Sequence, residues 1–511
     1  VGYVGSMRRV LHEVLVGQLT PMPWPRVAAC AIVVALLILF AQPSTFAYIP
    51  RLTEDGHGMD SLSVAVNRSF CGVPSGLSSG EQLGRIFFGE PATNDQTVRQ
   101  VIESRWGSLE RYCETVTTPF INTENSLMLV ESWAWRVAPN LTLRALGRVL
   151  FAVKVGFLLF FGIVFLRLGA SALLCYAVLD AAFAILGRLQ LNFGFSTYSF
   201  LLCSVMATLA LYPMMLTLPS HSQARQFAWP AVAGAWSAFV VNMRTSYLPI
   251  CAGLAMLYIV VLMLRSDDAG VRLSVRLRRV VPAVLVFLIG YATFQYVFIV
   301  RSRGAGRQFS YHTVFHPLVL SVGIPKSDLS EREGIEWNDA VGLMLAHRVD
   351  PSARYLSKEY ERALAAYYVD LWKRYPGAMS RIYLAKARLA GTEMMNVEDV
   401  SAWPVAFSRG VLRRIPTGVR LLALLVSGTA IAAWLFVRRR APMLLLVVSM
   451  GVTATMLMIE SIVIVPRYYL SYHASLLLLF CSLTLLFVQS VFSGIASPLL
   501  SAAPRPERSS T

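Results

Sequence analysis

Apolar residues in this chain gather into long continuous runs, at 27–48, 146–166, 170–187, 197–219, 227–243, 246–264, 281–300, 418–437, 441–465 and 469–491. About 20 helical residues cross a hydrocarbon core of about 30 Å. Each run therefore predicts a spanning helix, ten in all. The runs 227–243 and 246–264 meet at Asn242 and Arg244, read as a tight outer turn with a re-entrant hairpin as the alternative. Two polar stretches interrupt the pattern, 49–145 and 301–417. In the first, Val98, Val101, Ile102, Trp106 and Leu109 predict a helix over 95–115, and Leu127, Val130, Trp133 and Val137 another over 123–137. Trp106, Trp133 and Trp135 suit elements at headgroup depth. In the second, Ser357 is a good N-cap, with Glu359 and Glu361 favouring the helix dipole. Tyr360, Leu364, Tyr367 and Leu371 continue that helix until Pro376-Gly377 stops it. An amphipathic interfacial helix follows over 378–390, with Met379, Ile382, Tyr383 and Leu389 on one face, Arg381 and Arg388 on another, and Lys386 snorkelling out of the apolar stripe.

The expected fold is an all-α polytopic integral membrane protein, with about ten transmembrane helices and two extracytoplasmic α-helical insertions. The parts are a cytoplasmic N-terminus (1–26), a first transmembrane helix (27–48), a first extracytoplasmic loop (49–145), transmembrane helices two to seven (146–300), an extracytoplasmic helical insertion (301–417), transmembrane helices eight to ten (418–491) and a cytoplasmic tail (492–511). Composition agrees: 56% of the 511 residues are hydrophobic, 15% are charged, and the mean hydropathy is +0.56, more apolar surface than a soluble fold can hide. Arginine fixes the orientation. With Arg8, Arg9 and Arg26 inside, the loop 265–280 (Arg265, Arg272, Arg276, Arg278, Arg279) and the turn Arg438–Arg440 also fall inside, as short cytoplasmic loops should. A plasma-membrane location with both termini cytoplasmic follows. The first run lacks a small-x-small cleavage site and reads as a retained anchor. Much of the net charge of +17 is explained by these topogenic arginines, and no basic low-complexity arm points to nucleic acid. Cys30, Cys175, Cys203, Cys251 and Cys481 fall in spans as core thiols. Cys71 and Cys113 share the first loop, where a disulfide suits an oxidising compartment.

Four groups of residues could carry chemistry. Glu54-Asp55-Gly56-His57-Gly58-Met59-Asp60 follows the first span, and its carboxylates could take a proton from an acceptor hydroxyl or hold a divalent cation with His57; an ordinary solvated turn is the plain alternative. Arg467, Tyr468 and their neighbours near the last two spans offer donors for phosphate oxygens, or an aromatic belt. Arg244 and the intramembrane Glu460 are costly unless they face a polar cavity or a partner. His312 and His316, four apart, would share a helix face, but Pro317 argues for a loop; with Glu336 and Asp339 they suit an acceptor-binding or structural role, and zinc lacks a third ligand at a recognised spacing. A P-loop, a dinucleotide glycine fingerprint, a Gly-x-Ser-x-Gly elbow and a His-Glu-x-x-His helix are all missing from the sequence.

The order of these parts resembles the C-type (GT-C fold) glycosyltransferase superfamily. The resemblance rests on a single anchor, the acidic pair Glu54-Asp55 just after it, and a long first loop in which Phe120-Ile121-Asn122-Thr123-Glu124-Asn125 runs towards Leu141–Leu146. The Arg467-Tyr468 pair near the last span is similar to a recurrent Arg-Tyr. It implies inverting transfer of a sugar from a polyprenyl-phosphate donor to an extracytoplasmic glycan, lipid or protein. Asp55 would be the base, Glu54 its partner, and Arg467, Tyr468 and Arg244 the phosphate ligands. His57, Asp60, His312, His316, Glu336 and Asp339 would be acceptor-side or secondary. The sequence departs from the family in placing its insertion between spans seven and eight, and in following Glu-Asp with Gly-His-Gly. Three other readings stand beside it: a lipid-linked glycan ligase or polymerase working through 301–417, a lipid or solute transporter, and a non-catalytic assembly factor.

Overall fold

The structure, a computed structural model, describes residues 22–41, 57–72, 83, 86, 90, 93, 95–116, 125–188, 197–217, 223–243, 247–263, 273–300, 314–355 and 357–393. About 85% of them are helical and none forms a strand, so the described fold is all-α. In chain order the helices are α1 (Trp24–Ala41), α2 (His57–Phe70), α3 (Val98–Trp106), α4 (Leu109–Glu114), α5 (Asn125–Val137), α6 (Leu143–Arg167), α7 (Ala172–Arg188), α8 (Thr197–Thr217), α9 (Gln223–Met243), α10 (Leu248–Met263) and α11 (Leu273–Phe294), which runs on as a π-helical turn, Gln295–Val300. The insertion adds α12 (Phe315–Leu320), α13 (Asp328–Glu333), α14 (Asp339–Val349), α15 (Lys358–Arg374) and α16 (Pro376–Glu393).

Three of these helices are long and apolar enough to cross a membrane: Trp24–Ala41, Leu143–Arg167 and Val280–Val297. Their outward faces agree. On α1, Ile32, Leu36 and Phe40 are exposed, Phe40 to 82%; on α11, Leu285, Leu288 and Ile289 are exposed. Side chains of this size presented along one stripe need hydrocarbon around them. The chain is a helical membrane protein. The shorter apolar helices α7, α8 and α9 pack with α6 and α11 into the same body, α6 against α8 and α9 against α11. The expected spans 418–437, 441–465 and 469–491 lie outside the described residues, as do Cys481 and Glu460.

Polar groups inside this body are tied between helices. Trp236 Nε1 donates to Thr208 Oγ1 at 2.8 Å, and the Tyr212 and Ser237 hydroxyls lie 3.1 Å apart. Lys154 on α6 and Asp180 on α7 are both buried and engaged. In hydrocarbon such bonds hold helices whose lipid-facing surfaces supply little net attraction. Small residues do the rest. A Cβ at Gly234 of α9 would drive into the Phe287 carbonyl oxygen of α11, and one at Gly290 into the Ala231 carbonyl. Only glycine lets these two backbones touch.

Several local expectations change. The single helix expected over 95–115 is two, because Gly107 takes φ +80° and ends α3 before Ser108 caps α4. The stretch 57–60, for which a solvated turn is the plain alternative, opens α2. Arg276, Arg278 and Arg279, expected in a loop, ride on the first turns of α11, which begins at Leu273. Pro317 does not exclude a helix: it is the third residue of α12, where a missing N–H forfeits no intrahelical bond. Ser357 caps α15 as expected, accepting from Tyr360 N at 3.1 Å, and Pro376 then starts α16 at the position where proline is best tolerated.

Gly234→Leu should force α9 and α11 apart, costing about 2 kcal/mol or more in thermal unfolding of the detergent-solubilised protein. Leu at Gly377, where an added Cβ meets nothing within 4 Å, should cost far less. Equal losses would show that the close approach does not hold the body together.

Candidate functional site

Two polar centres stand out, one in the first loop and one in the insertion. The first is built on α2, which packs against α5 and α4. Cys71, just past α2, is disulfide-bonded to Cys113 on α4 across a sequence separation of 42. The buried Tyr112 hydroxyl donates to Asn67 Oδ1 at 2.6 Å, and burial holds that phenol above the ordinary tyrosine range. Phe70 meets Trp135 edge-on at 6.0 Å, setting the last turn of α2 on α5. α5 in turn is fastened to the membrane body, where Ser126 Oγ donates to the Phe239 carbonyl of α9 at 2.6 Å. Five residues after α5, Thr142 caps α6 through Ala145 N at 3.2 Å, and Arg144 pairs with Asp95 at 3.0 Å. The unit following the first span is thus locked onto the start of the next.

Polar atoms collect in this joint. Arg68 Nη1, Ser69 Oγ and Ser132 Oγ are buried with no hydrogen-bond partner among the described residues. Burial first, and the neighbouring Arg136 guanidinium second, lower the Arg68 pKa to about 10. Glu131 is fully buried beside Ser132 and is itself engaged. Of the three tryptophans expected at headgroup depth only Trp133 is exposed; Trp135 is buried and Trp106 packs on the core. The acids Glu54 and Asp55 lie outside the described residues. His57 and Asp60 stand in the first turn of α2 by backbone alone, their side chains outside the described atoms.

The second centre surrounds His316. This buried ring joins three helices: Nδ1 lies 2.6 Å from the Tyr360 hydroxyl of α15, and Nε2 lies 3.3 Å from Asp339 Oδ1 of α14. An ionised carboxylate only accepts, so in the neutral imidazole Nε2 carries the proton and Nδ1 accepts from Tyr360. Glu361 receives the backbone N–H groups of Val314, Phe315 and His316, closing the start of α12. Gly342 leaves room for the ring, since a Cβ there would stand 2.6 Å from the Tyr360 oxygen. Burial is the first cause raising the Tyr360 and Tyr355 hydroxyls, with Asp339 adding to both. His316 and Asp339 do come together, while Glu336 is exposed on the connecting turn. His312, Arg244, Arg467 and Tyr468 lie outside the described residues. Among the described residues no group of three His, Cys, Asp or Glu could hold a metal ion.

Lys386 departs from its expected place. It does not snorkel: it is 0% exposed, its Nζ lacks a hydrogen-bond partner among the described residues, and it sits 5.0 Å over the Tyr383 ring. The stripe it shares faces protein, with Met379 and Ile382 in the insertion core and Leu389 against the membrane-body core. Burial lowers its pKa to about 7.

No known protein family, curated protein or solved structure matches the chain. Its chemistry therefore rests on the residues themselves. The first centre combines cations and hydroxyls at a membrane-side joint and suits an anionic, oxygen-rich group. The second has its histidine fully committed to holding helices and suits support of the insertion.

Three outcomes test these assignments. Cys71→Ser should lower stability by about 2–4 kcal/mol, read as a lower melting temperature under oxidising conditions that reductant abolishes in the parent alone. His316→Ala should cost about 2 kcal/mol by stranding the buried Tyr360 hydroxyl and emptying the space the ring fills, whereas a purely surface histidine would cost nothing measurable. Lys386→Met should stabilise most at low pH. A folded-state pKa of about 7, below the ordinary lysine value, imposes its full penalty below about 7. That penalty is relieved as pH rises toward the free-lysine range, because the unfolded chain binds the extra proton. A melting-temperature difference that stays flat between pH 6 and pH 10 would contradict the burial of an unpaired amine.

Proposed function

We propose that this protein is a membrane glycosyltransferase that moves a sugar from a polyprenyl-phosphate donor to an envelope glycan, lipid or protein with inversion. The observation that carries the reading is the bracing of the segment that follows Glu54-Asp55. The helix opening at His57 is bonded covalently through Cys71–Cys113 and packed on α5, which is fastened to the membrane body. A general base must be held within hydrogen-bond reach of the hydroxyl it deprotonates, and a rigid element beside a span serves that end. In this reading Asp55 takes the acceptor proton as the oxygen attacks the anomeric carbon, and Glu54 orients it. Negative charge builds on the departing lipid phosphate, where Arg467, Tyr468 and Arg244 supply cation and hydroxyl donors. Base and cation act on opposite sides of the sugar.

The ligase or polymerase reading would move the chemistry into the insertion. The burial of His316, with both ring nitrogens engaged, favours the first-loop reading over it. Asp55→Asn and Arg467→Ala, expressed in a strain lacking the protein, should abolish the surface glycan while leaving protein level and disulfide intact; His312→Ala should leave most of the product. Loss with His312→Ala alone would transfer the chemistry to the insertion.

A further inference from the structure

We propose that the joint between α2 and α5 is a binding site for the phosphate of an anionic membrane phospholipid, held by Arg68 and Arg136 with the hydroxyls of Ser69 and Ser132. The site is independent of the sugar-transfer reading and uses none of its residues.

Depth comes first. α5 ends at Val137 and the spanning helix α6 begins at Leu143, so the last turn of α5 lies within a few residues of hydrocarbon. That turn carries Trp133 and Val137, exposed to 64% and 66%, on either side of the exposed Arg136. An indole and an isopropyl group left bare next to a guanidinium are the pattern of a helix lying in the headgroup region, apolar groups toward acyl chains and cation toward phosphate.

Unmet hydrogen bonding comes second. The Phe70–Trp135 contact lays the end of α2 on the stretch of α5 that holds Ser132, one helical turn earlier on the same face. Arg68 and Ser69 immediately precede Phe70. Their atoms Arg68 Nη1 and Ser69 Oγ, and Ser132 Oγ across the joint, are buried without a hydrogen-bond partner among the described residues; Ser132 is only 2% exposed. A buried donor left unmet costs about 1–3 kcal/mol, so three in one joint call for an oxygen-rich group.

Charge comes third. Burial first and the Arg136 guanidinium second lower the Arg68 pKa, and the repulsion between the two guanidiniums is one that a shared anion would remove. Glu131, beside Ser132 on α5, is buried and engaged in an interaction of its own. Two guanidiniums with hydroxyl donors fit a tetrahedral phosphate. The bare Trp133 and Val137 beside them select a phosphate that arrives with acyl chains.

The test uses the full chain, purified in mild detergent and titrated with phosphatidylglycerol while bound lipid is counted by native mass spectrometry. Arg136 is exposed, so Arg136→Gln keeps the core, which an unchanged melting temperature and disulfide would verify. It should weaken phosphatidylglycerol binding about tenfold, with Arg136→Lys in between because charge stays and the fork is lost. Arg381→Gln, an exposed arginine on α16, should bind as the parent does. Trp133→Ser should weaken lipid binding as well. Equal binding by the parent and Arg136→Gln would overturn the site. Displacement of the lipid by an equal concentration of inorganic phosphate would overturn its lipid source, leaving a site for soluble phosphate.

Discussion

Every peptide N–H and C=O that enters hydrocarbon must find its partner inside the chain, and this requirement shapes the described structure. Helix is the local answer for segments such as Leu143–Arg167, because it satisfies every backbone group within the segment itself. Once the backbone is satisfied, packing is left to small residues and isolated polar bonds. Gly234 and Gly290 let α9 and α11 approach backbone to backbone, and Thr208–Trp236 and Tyr212–Ser237 link α8 to α9. Outward faces can then stay as apolar as Phe40 and Ile289 without penalty.

The same requirement explains why the first loop is fastened so heavily. Beyond the membrane the chain is again in water, where α2, α3 and α4 are too short to persist alone. The Cys71–Cys113 bond, the Tyr112–Asn67 hydrogen bond and the Phe70–Trp135 contact supply the missing stability, and Ser126 on Phe239 transmits it to the bundle. α5 is the hinge-pin of this arrangement, since it touches α2, α6 and α9. A base carried just before α2 and a phosphate seated on α5 would both inherit that rigidity. The insertion follows another logic: α12, α14 and α15 close a small core around His316, and α16 carries that core to the body through Leu389.

Much of this was legible from residue pattern. Seven of the expected spans coincide with helices, within a few residues at most ends, and three of these are long and apolar enough to cross a membrane, as a run of about 20 apolar residues should be. Ser357 as a cap and the stop at Pro376 were equally readable, since capping is decided within four residues. Readings that required knowing the far side of an element fared worse. Lys386 looked like a snorkelling residue on a lipid-facing stripe, but the stripe faces protein. Pro317 looked like a breaker, but its helix is only six residues long and Glu361, distant in sequence, closes its start. Arg68 drew no notice, because a single arginine in a polar loop is ordinary until its neighbours are seen to leave it unmet.

Hydropathy by itself determined that this is a helical membrane protein, because transfer into lipid is a property of the local run. Only the tertiary structure decided which polar atoms end up buried together. Arg68, Ser69 and Ser132 belong to helices more than fifty residues apart in sequence, and His316 meets Asp339 and Tyr360 across three elements. Desolvation and hydrogen bonding act over a few ångströms in space, and distance along the chain carries no measure of that.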